Sequence, residues 1–353
     1  MTRRASALAA IALLAAGLGS TGCTPAAEVP PADPVARPAG TPALHHVGLN
    51  STDPTAALAW YAALWPSAQA TTFDGRDALA AEMMLVFDAV TSPPAGAFDP
   101  ALGRPSAQSA IWHIGAYLDT TDSDRLAEAL GSPHLPLHIG PDGGSPVWRS
   151  GLAPYRGTHT AAALPGVEVA EPRAGGFSYL LGPDGALVEL TGGPNTRPSL
   201  SHVHLFHEQP RCAAEWYVGV LGFEPASDPV AEGEDCAAPP AEAGWPSLER
   251  IGTIRAPRAA VDVVGTQFSI YPRQCFGARC GEPTPLVGSR GQVIDHVGLR
   301  VDDLAAWHAW LRQEGVTVIE PLHDIEEGRA LMIEGPDAIA IELVELDADS
   351  LAG

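Results

Sequence analysis

The sequence predicts an α+β fold made of four copies of one unit, each a strand, a helix and then further strands. Three observations carry that prediction. A His opens a strand-like run at four places: His45-His46-Val47-Gly48-Leu49, Trp112-His113-Ile114-Gly115-Ala116, Ser201-His202-Val203-His204-Leu205 and Asp295-His296-Val297-Gly298-Leu299. Apolar residues at helical spacing follow each run. A Gly-Pro-Asp turn leads twice into an apolar strand, through Gly182-Pro183-Asp184 to Glu189-Leu190 and through Gly335-Pro336-Asp337 to Glu342-Leu343, and in both the Glu lies seven residues past the first Gly.

The units begin near residues 44, 111, 201 and 294. In the first, Asp53-Pro54 supplies a helix cap and first-turn residue ahead of Ala57, Leu58, Trp60, Tyr61 and Leu64. In the second, Asp122 or Ser123 starts a helix through Leu126 and Leu130. In the third, Ala213, Trp216, Tyr217 and Val220 lead to Leu221-Gly222-Phe223. In the fourth, Leu304, Trp307, Trp310 and Leu311 precede Gly315, a natural helix stop. Hairpins are expected where residues 177–181 and 186–191 flank the first Gly-Pro-Asp turn, and where residues 330–334 and 339–344 flank the second. Turn residues from Gly192 to Pro198 mark a boundary between domains over residues 43–195 and 200–346, with a tail over 347–353. Pairing two units within each domain would cover the open sheet and the half core of a single unit. Pro- and Gly-rich stretches over 91–109, 140–176 and 225–247 read as inserted loops.

The first 22 residues read as an export signal: Arg3 and Arg4, an apolar run from Ala7 to Leu18, and small residues up to Gly22. Cys23 after Gly22 resembles a bacterial lipobox, with Ser20 a departure from the usual aliphatic residue, so Cys23 is expected to carry a lipid anchor. Residues 23–42, rich in Pro, follow as a tether. The expected location is the bacterial cell envelope. Arg3-Arg4 also invites a twin-arginine reading, but Ser6 and Ala7 lack the bulky apolar residues expected there, and two arginines are normal in any signal. A formal net charge of −22 argues against nucleic acid as a partner and against electrostatic docking on anionic lipid. Four further cysteines, Cys212, Cys236, Cys275 and Cys280, suit an oxidising compartment and allow three pairings. Chain proximity favours Cys212 with Cys236 and Cys275 with Cys280. A Cys-only zinc site is the rival, and it lacks the usual Cys-x-x-Cys pair.

Imidazoles at strand starts and a carboxylate inside an apolar strand can face inward together, because strand side chains alternate. Glu189 sits between Val188 and Leu190, and Glu342 between Ile341 and Leu343, where burial is costly without a cation or hydrogen bonds. Two His and one Glu per half suit a divalent metal with open positions.

With its His-Val-Gly-Leu openings and its Gly-Pro-Asp hairpins ending in Glu-Leu, the chain resembles the vicinal oxygen chelate superfamily over nearly all of residues 43–346. That superfamily contains glyoxalase I, type I extradiol dioxygenases, and fosfomycin and bleomycin resistance proteins. The resemblance implies βαβββ modules paired into two incomplete, glyoxalase-like β-barrel domains. It implies one divalent ion per active domain, Fe(II), Mn(II), Zn(II) or Ni(II), held by His46, His113 and Glu189 in the first domain and by His202, His296 and Glu342 in the second. Register with His296 selects His46 over His45 and leaves His45 on the opposite face; His204 and His207 compete with His202. The fourth protein ligand usual in glyoxalase I has no clear counterpart in Met83–Phe87 or around Gln267–Tyr271. Tyr179, ten residues before Glu189, matches the extradiol Tyr that orients or protonates substrate, whereas Met332 stands at that place before Glu342. His138 and His159 are substitutes for the extradiol acid/base.

The function implied is a metal-dependent enzyme, a dioxygenase or a lyase or isomerase. Its substrate would be a small molecule that chelates the metal through adjacent oxygens, and a dimer is the candidate assembly. The alternative is an exported protein that binds and sequesters a small molecule, as in antibiotic resistance, without catalysis. A structural envelope lipoprotein that kept the fold and lost the chemistry is a third reading.

Overall fold

The computed structural model describes residues 35–99, 104–105, 107–118, 126, 128–132, 137–138, 146–147, 176–192, 196–228, 230, 233–237, 259–272 and 286–348. The export signal, Cys23, most of the tether, Cys275, Cys280, His159, the side chain of His138 and most of the helix expected in the second unit lie outside them. From Val35 onward the chain forms one compact unit.

The first module comprises β1 (Ala43–Ser51), α1 (Pro54–Leu64), β2 (Gln69–Phe73), β3 (Arg76–Ala80) and β4 (Met84–Ala89). A short ribbon, β5 (Phe98–Asp99) with β6 (Arg104–Pro105), precedes the second module. That module has β7 (Ile111–Tyr117), a second ribbon of β8 (Leu137–His138) and β9 (Pro146–Val147), then β10 (Gly176–Leu181) and β11 (Leu187–Gly192). The third has β12 (Ser199–His207), α2 (Pro210–Trp216), β13 (Glu224–Pro225), β14 (Ala259–Val263) and β15 (Thr266–Pro272). The fourth has β16 (Ile294–Arg300), α3 (Leu304–Gln313), β17 (Val318–Ile325), β18 (Gly328–Glu334) and β19 (Ala340–Leu346).

Local signals position the helices as expected. Asp53 accepts from the Ala56 amide at 3.0 Å with Pro54 in the first turn, and Asp303 accepts from the Ala306 amide at 2.9 Å. Gly315 ends the α3 region at φ 72°, and Gly222 closes the turn after α2 at φ 77°. The helices and the turns that close them bury Tyr61, Trp65, Tyr217, Trp307 and Leu311 in one core.

Strand pairing departs from the expected domains. One sheet runs β17-β18-β19-β16-β1-β4-β3-β2, joining the first and fourth modules; the other runs β10-β11-β7-β12-β15-β14-β13, joining the second and third. The seam of each is an antiparallel pair of opening strands, β1 with β16 and β12 with β7. The segment read as a domain boundary therefore connects β11 to β12 within one sheet. The physical reason lies in that short connection, which keeps consecutive elements adjacent. It lays β12 on the open edge of β7, and the open edges of β1 and β16 are left for each other.

The larger sheet curls. The β2–β3 turn meets the β17–β18 turn, where the Asp74 amide donates to Glu327 at 2.9 Å and the Glu326 amide donates to Asp74 at 3.3 Å. Phe73, Ala78, Val86, Ala330 and Val344 fill the cup between. No backbone ladder closes the barrel among the described residues.

The Gly-Pro-Asp hairpins fasten one sheet to the other. Asp184 and Asp337 both adopt φ 54°, a left-handed conformation that Asp tolerates. Asp184 accepts from Ser51 Oγ at 2.6 Å, Thr52 Oγ1 at 2.6 Å and the Thr52 amide at 3.1 Å. Asp337 bonds His207 Nδ1 at 2.8 Å and accepts from the Glu208 amide at 3.0 Å. Each turn thus grips the strand-to-helix corner of the module before it in sequence, which lies in the other sheet. The Cys212–Cys236 disulfide is formed as expected.

Candidate metal centres

Each seam gathers a set of ligand-type side chains with one donor atom apiece within 4.8 Å of the others: His46, His296 and Glu342 in the larger sheet, and His113, Glu189, His202 and His204 in the smaller. The expected triads are corrected by an exchange. His113 stays with Glu189 and His296 with Glu342, whereas His46 and His202 trade places because β1 pairs with β16 and β12 with β7. His207 lies apart, bonded to Asp337 and, at 3.1 Å, to the Tyr217 hydroxyl.

Register explains the convergence. His46 stands opposite Gly298 and His296 opposite Gly48, so each ring lies over the partner strand's glycine. A Cβ on Gly48 would come within 2.0 Å of His296 Cε1, and one on Gly298 within 2.0 Å of His46 Cε1. Gly115 likewise lies under His202, where a Cβ would meet Nε2 at 1.9 Å. At the fourth such place the pattern breaks, and His204 stands opposite His113.

In the three-residue set, His46 Nε2 lies 2.9 Å from Glu342 Oε2 and 3.1 Å from His296 Nε2. Behind it, His296 Nδ1 bonds Asp295 Oδ1 at 2.8 Å, leaving Nε2 toward the cluster. Asp295 is itself held by Arg290, by the Gly291 amide at 2.6 Å and by Asn50 Nδ2 at 2.9 Å. His45 is outside the set, as expected, yet it does not face away. A register shift between Leu44 and His46 turns it so that its Nδ1 lies 2.9 Å from His46 Nδ1.

In the four-residue set, His113 Nε2 lies 3.0 Å from Glu189 Oε2, and His202 Nε2 lies 3.6 Å from Glu189 Oε1. These approaches are close without hydrogen-bond geometry, so both nitrogens of His113 and of His202 are buried with no hydrogen-bond partner among the described residues. Tyr179, opposite Glu189 in the β10–β11 pair, donates its hydroxyl to Glu189 Oε2 at 2.8 Å. Met332 holds the corresponding place opposite Glu342.

Burial sets the charge balance. It lowers the His46, His113 and His204 pKa values, and nearby Glu342 or Glu189 only partly restores them, so these rings are neutral at pH 7. His45 falls to about 3 through burial and its neighbour His46. Burial raises the two glutamates, but the imidazoles outweigh it: His113 and His202 hold Glu189 well below the usual carboxylate range, and His46 and His296 do the same for Glu342. His296 differs, since Asp295 and Glu342 outweigh its burial and raise it. In the four-residue set, a buried carboxylate beside ring nitrogens that lack partners is an environment that a divalent cation completes. In the three-residue set, Glu342 Oε2 is likewise buried with no hydrogen-bond partner among the described residues. The donors present fit such an ion.

A sequence profile of the Glyoxalase/Bleomycin resistance protein/Dioxygenase superfamily matches residues 199–343, the third and fourth modules. No curated protein sequence matches the chain. Among solved structures, a variant of glyoxalase I from Zea mays aligns with a TM-score of 0.53 at 13% identity, over 88% of this chain and 94% of that one. Glyoxalase I from Zea mays itself gives 0.51 at 11% identity over 88% and 94%. A candidate dioxygenase from Bacillus subtilis gives 0.51 at 11% identity over 86% and 84%. At these identities the likeness is one of fold. The sequence likeness to the Glyoxalase/Bleomycin resistance protein/Dioxygenase superfamily thus covers residues 199–343, and the rest of the chain shares the fold of these structures.

Proposed function

We propose that this protein is a metal-dependent enzyme acting on a small molecule that chelates a divalent ion through two adjacent oxygens, with dioxygenase-like or glyoxalase- and lyase-like chemistry. The observation that carries the reading is the duplicated seam, in which two imidazoles and a carboxylate converge, buried, on facing strands. His46, His296 and Glu342 would hold one ion; His113, His202 and Glu189 would hold the other. When bound, such an ion supplies a Lewis acid for negative charge developing on substrate oxygens. The protein's part is to fix the donors: Asp295 orients His296, Tyr179 orients Glu189, and burial keeps water from competing. With its hydroxyl on Glu189, Tyr179 is read as a positioning residue.

The test is metal content after purification and reconstitution. Two equivalents of divalent ion are expected, falling to one in His296→Ala and to one in His113→Ala. Turnover is then screened on catechols, 2-oxoaldehyde thiol adducts and fosfomycin-type epoxides. A protein that takes up no divalent ion yet still binds one of these compounds would instead be a sequestering protein.

We further propose export and lipid anchoring at Cys23, a reading supported by Arg3, Arg4 and the apolar run before Cys23 and consistent with the Cys212–Cys236 disulfide. Cys23→Ala should move the protein from the membrane fraction to the soluble one; unchanged fractionation would end the anchor proposal.

A further inference from the structure

The two seams superpose in logic strand for strand. His46 corresponds to His202, His296 to His113, Glu342 to Glu189 and Gly298 to Gly115. Gly48 then corresponds to His204, the one place where the repeat replaces a glycine by a ligand-type side chain. Residues two apart on a strand share a face, so His204 points to the same side as His202. The contacts agree: its ring centroid lies 4.7 Å from that of His202 and 4.6 Å from that of His113. One of its nitrogens falls within the 4.8 Å donor cluster, and Nδ1 is buried with no hydrogen-bond partner among the described residues. Trp112 and Tyr271 flank the ring, at 6.2 and 5.1 Å between centroids, and limit how far it can turn away.

We infer that His204 is a fourth protein ligand, so that the His113, Glu189, His202 and His204 site binds a divalent ion more tightly than the three-ligand site and fills first. The inference rests on the metal reading above and adds an ordering of the two sites. A further imidazole replaces a solvent or substrate position in the coordination sphere, raising affinity and leaving less room for a chelating substrate. The three-ligand seam would then be the more open of the two to substrate.

Stepwise Co(II) titration of the full chain, stripped of metal with chelator and followed by ligand-field absorption, tests this. Wild type should bind in two steps, and His296→Ala should abolish only the second. His204→Phe keeps a ring and removes the nitrogens. It should weaken the first step by at least about tenfold and alter its spectrum while the second step stays as it was. Should that variant fail to fold, His204→Gly, which restores the residue type of the other three strands, is read the same way. Two unchanged steps with an unchanged first spectrum would overturn the role of His204 and leave the metal reading standing. No Co(II) uptake by the wild type at either seam would overturn the metal reading itself.

Discussion

The two seams use the same strand pairing and the same core of two imidazoles and a carboxylate, yet they support that core from opposite ends. In the larger sheet the support lies behind an imidazole, where Asp295, anchored by Arg290, Asn50 and the Gly291 amide, fixes His296. Glu342 faces Met332 and gains no hydroxyl there. In the smaller sheet the support lies behind the carboxylate, where Tyr179 holds Glu189, and the histidines are steadied by packing among Trp112, Tyr271 and one another. A duplicated frame can thus keep its geometry while each copy changes which ligand is fixed. That difference sets ring protonation and ligand mobility, two properties that control metal affinity.

The largest effect should come from the glycines under the rings. Gly115→Ala places a Cβ 1.9 Å from His202 Nε2, and Gly48→Ala places one 2.0 Å from His296 Cε1, so a ring must move in either variant. Overpacking of this kind costs about 1–3 kcal/mol and should displace one ligand set only. Urea unfolding and metal content check this: each variant is expected to lose stability and one equivalent of metal. Wild-type values for Gly115→Ala would mean that ring and glycine do not stack as described.

The hairpin aspartates give the next contrast. Asp184 bonds the exposed Thr52 hydroxyl, which water can satisfy when the carboxylate is removed, and the buried Ser51, whose Oγ still accepts from the Asp53 amide at 3.2 Å. Asp337 bonds His207, which is fully buried and would keep an unpaired nitrogen. Asp337→Ala should therefore cost about 2 kcal/mol and Asp184→Ala about 1 kcal/mol, read from denaturant midpoints. Equal costs would show that the two fasteners are equivalent despite their different partners.

Much of this was legible in the sequence, because it is local. The opening His residues, the Gly-Pro-Asp hairpins, the capping Asp53 and the buried Glu189 and Glu342 each follow from alternation, turn chemistry or the cost of burying charge. The pairing of modules was not legible, since β1 and β12 open with nearly the same residues and either could complete either seam. Only the short path from β11 to β12 decides it, and that segment also reads naturally as a linker. His45 was misplaced for a related reason: strict alternation sends it to the far face, and a bulge, invisible to periodicity, brings it back. The fourth donor did leave a trace, since His204 stands where three other strands have glycine. The meaning of that departure needs the partner strand.

Tyr179→Phe sharpens the comparison with less disruption. It removes the hydroxyl on Glu189 and gives that seam a carboxylate support more like the one Met332 leaves in the other. Affinity at the His113 seam should drop roughly tenfold, with the His296 seam unchanged, as read by competition with a chelator. An equal change at both seams would mean that the tyrosine acts on the fold as a whole.

The smallest effect concerns pH, and His113 and His296 should respond with opposite signs in chelator-treated protein. His113 and His204 are lowered from 6.5, chiefly by burial, so below pH 6.5 the unfolded chain binds more protons than the folded one. The stability these two rings contribute is present above 6.5 and drains away as the pH falls, as it does for His46 in the other seam. His296 is raised from 6.5, because Asp295 and Glu342 outweigh its burial, so its contribution is complete below 6.5 and is lost as the pH rises through its folded value. Denaturant midpoints measured on both sides of pH 6.5 should therefore lose part of their acid-side slope in His113→Gln and part of their alkaline-side decline in His296→Gln. If both variants flatten the same limb, the two histidines share one protonation environment, and the contrast between an imidazole fixed by Asp295 and one steadied by packing does not hold.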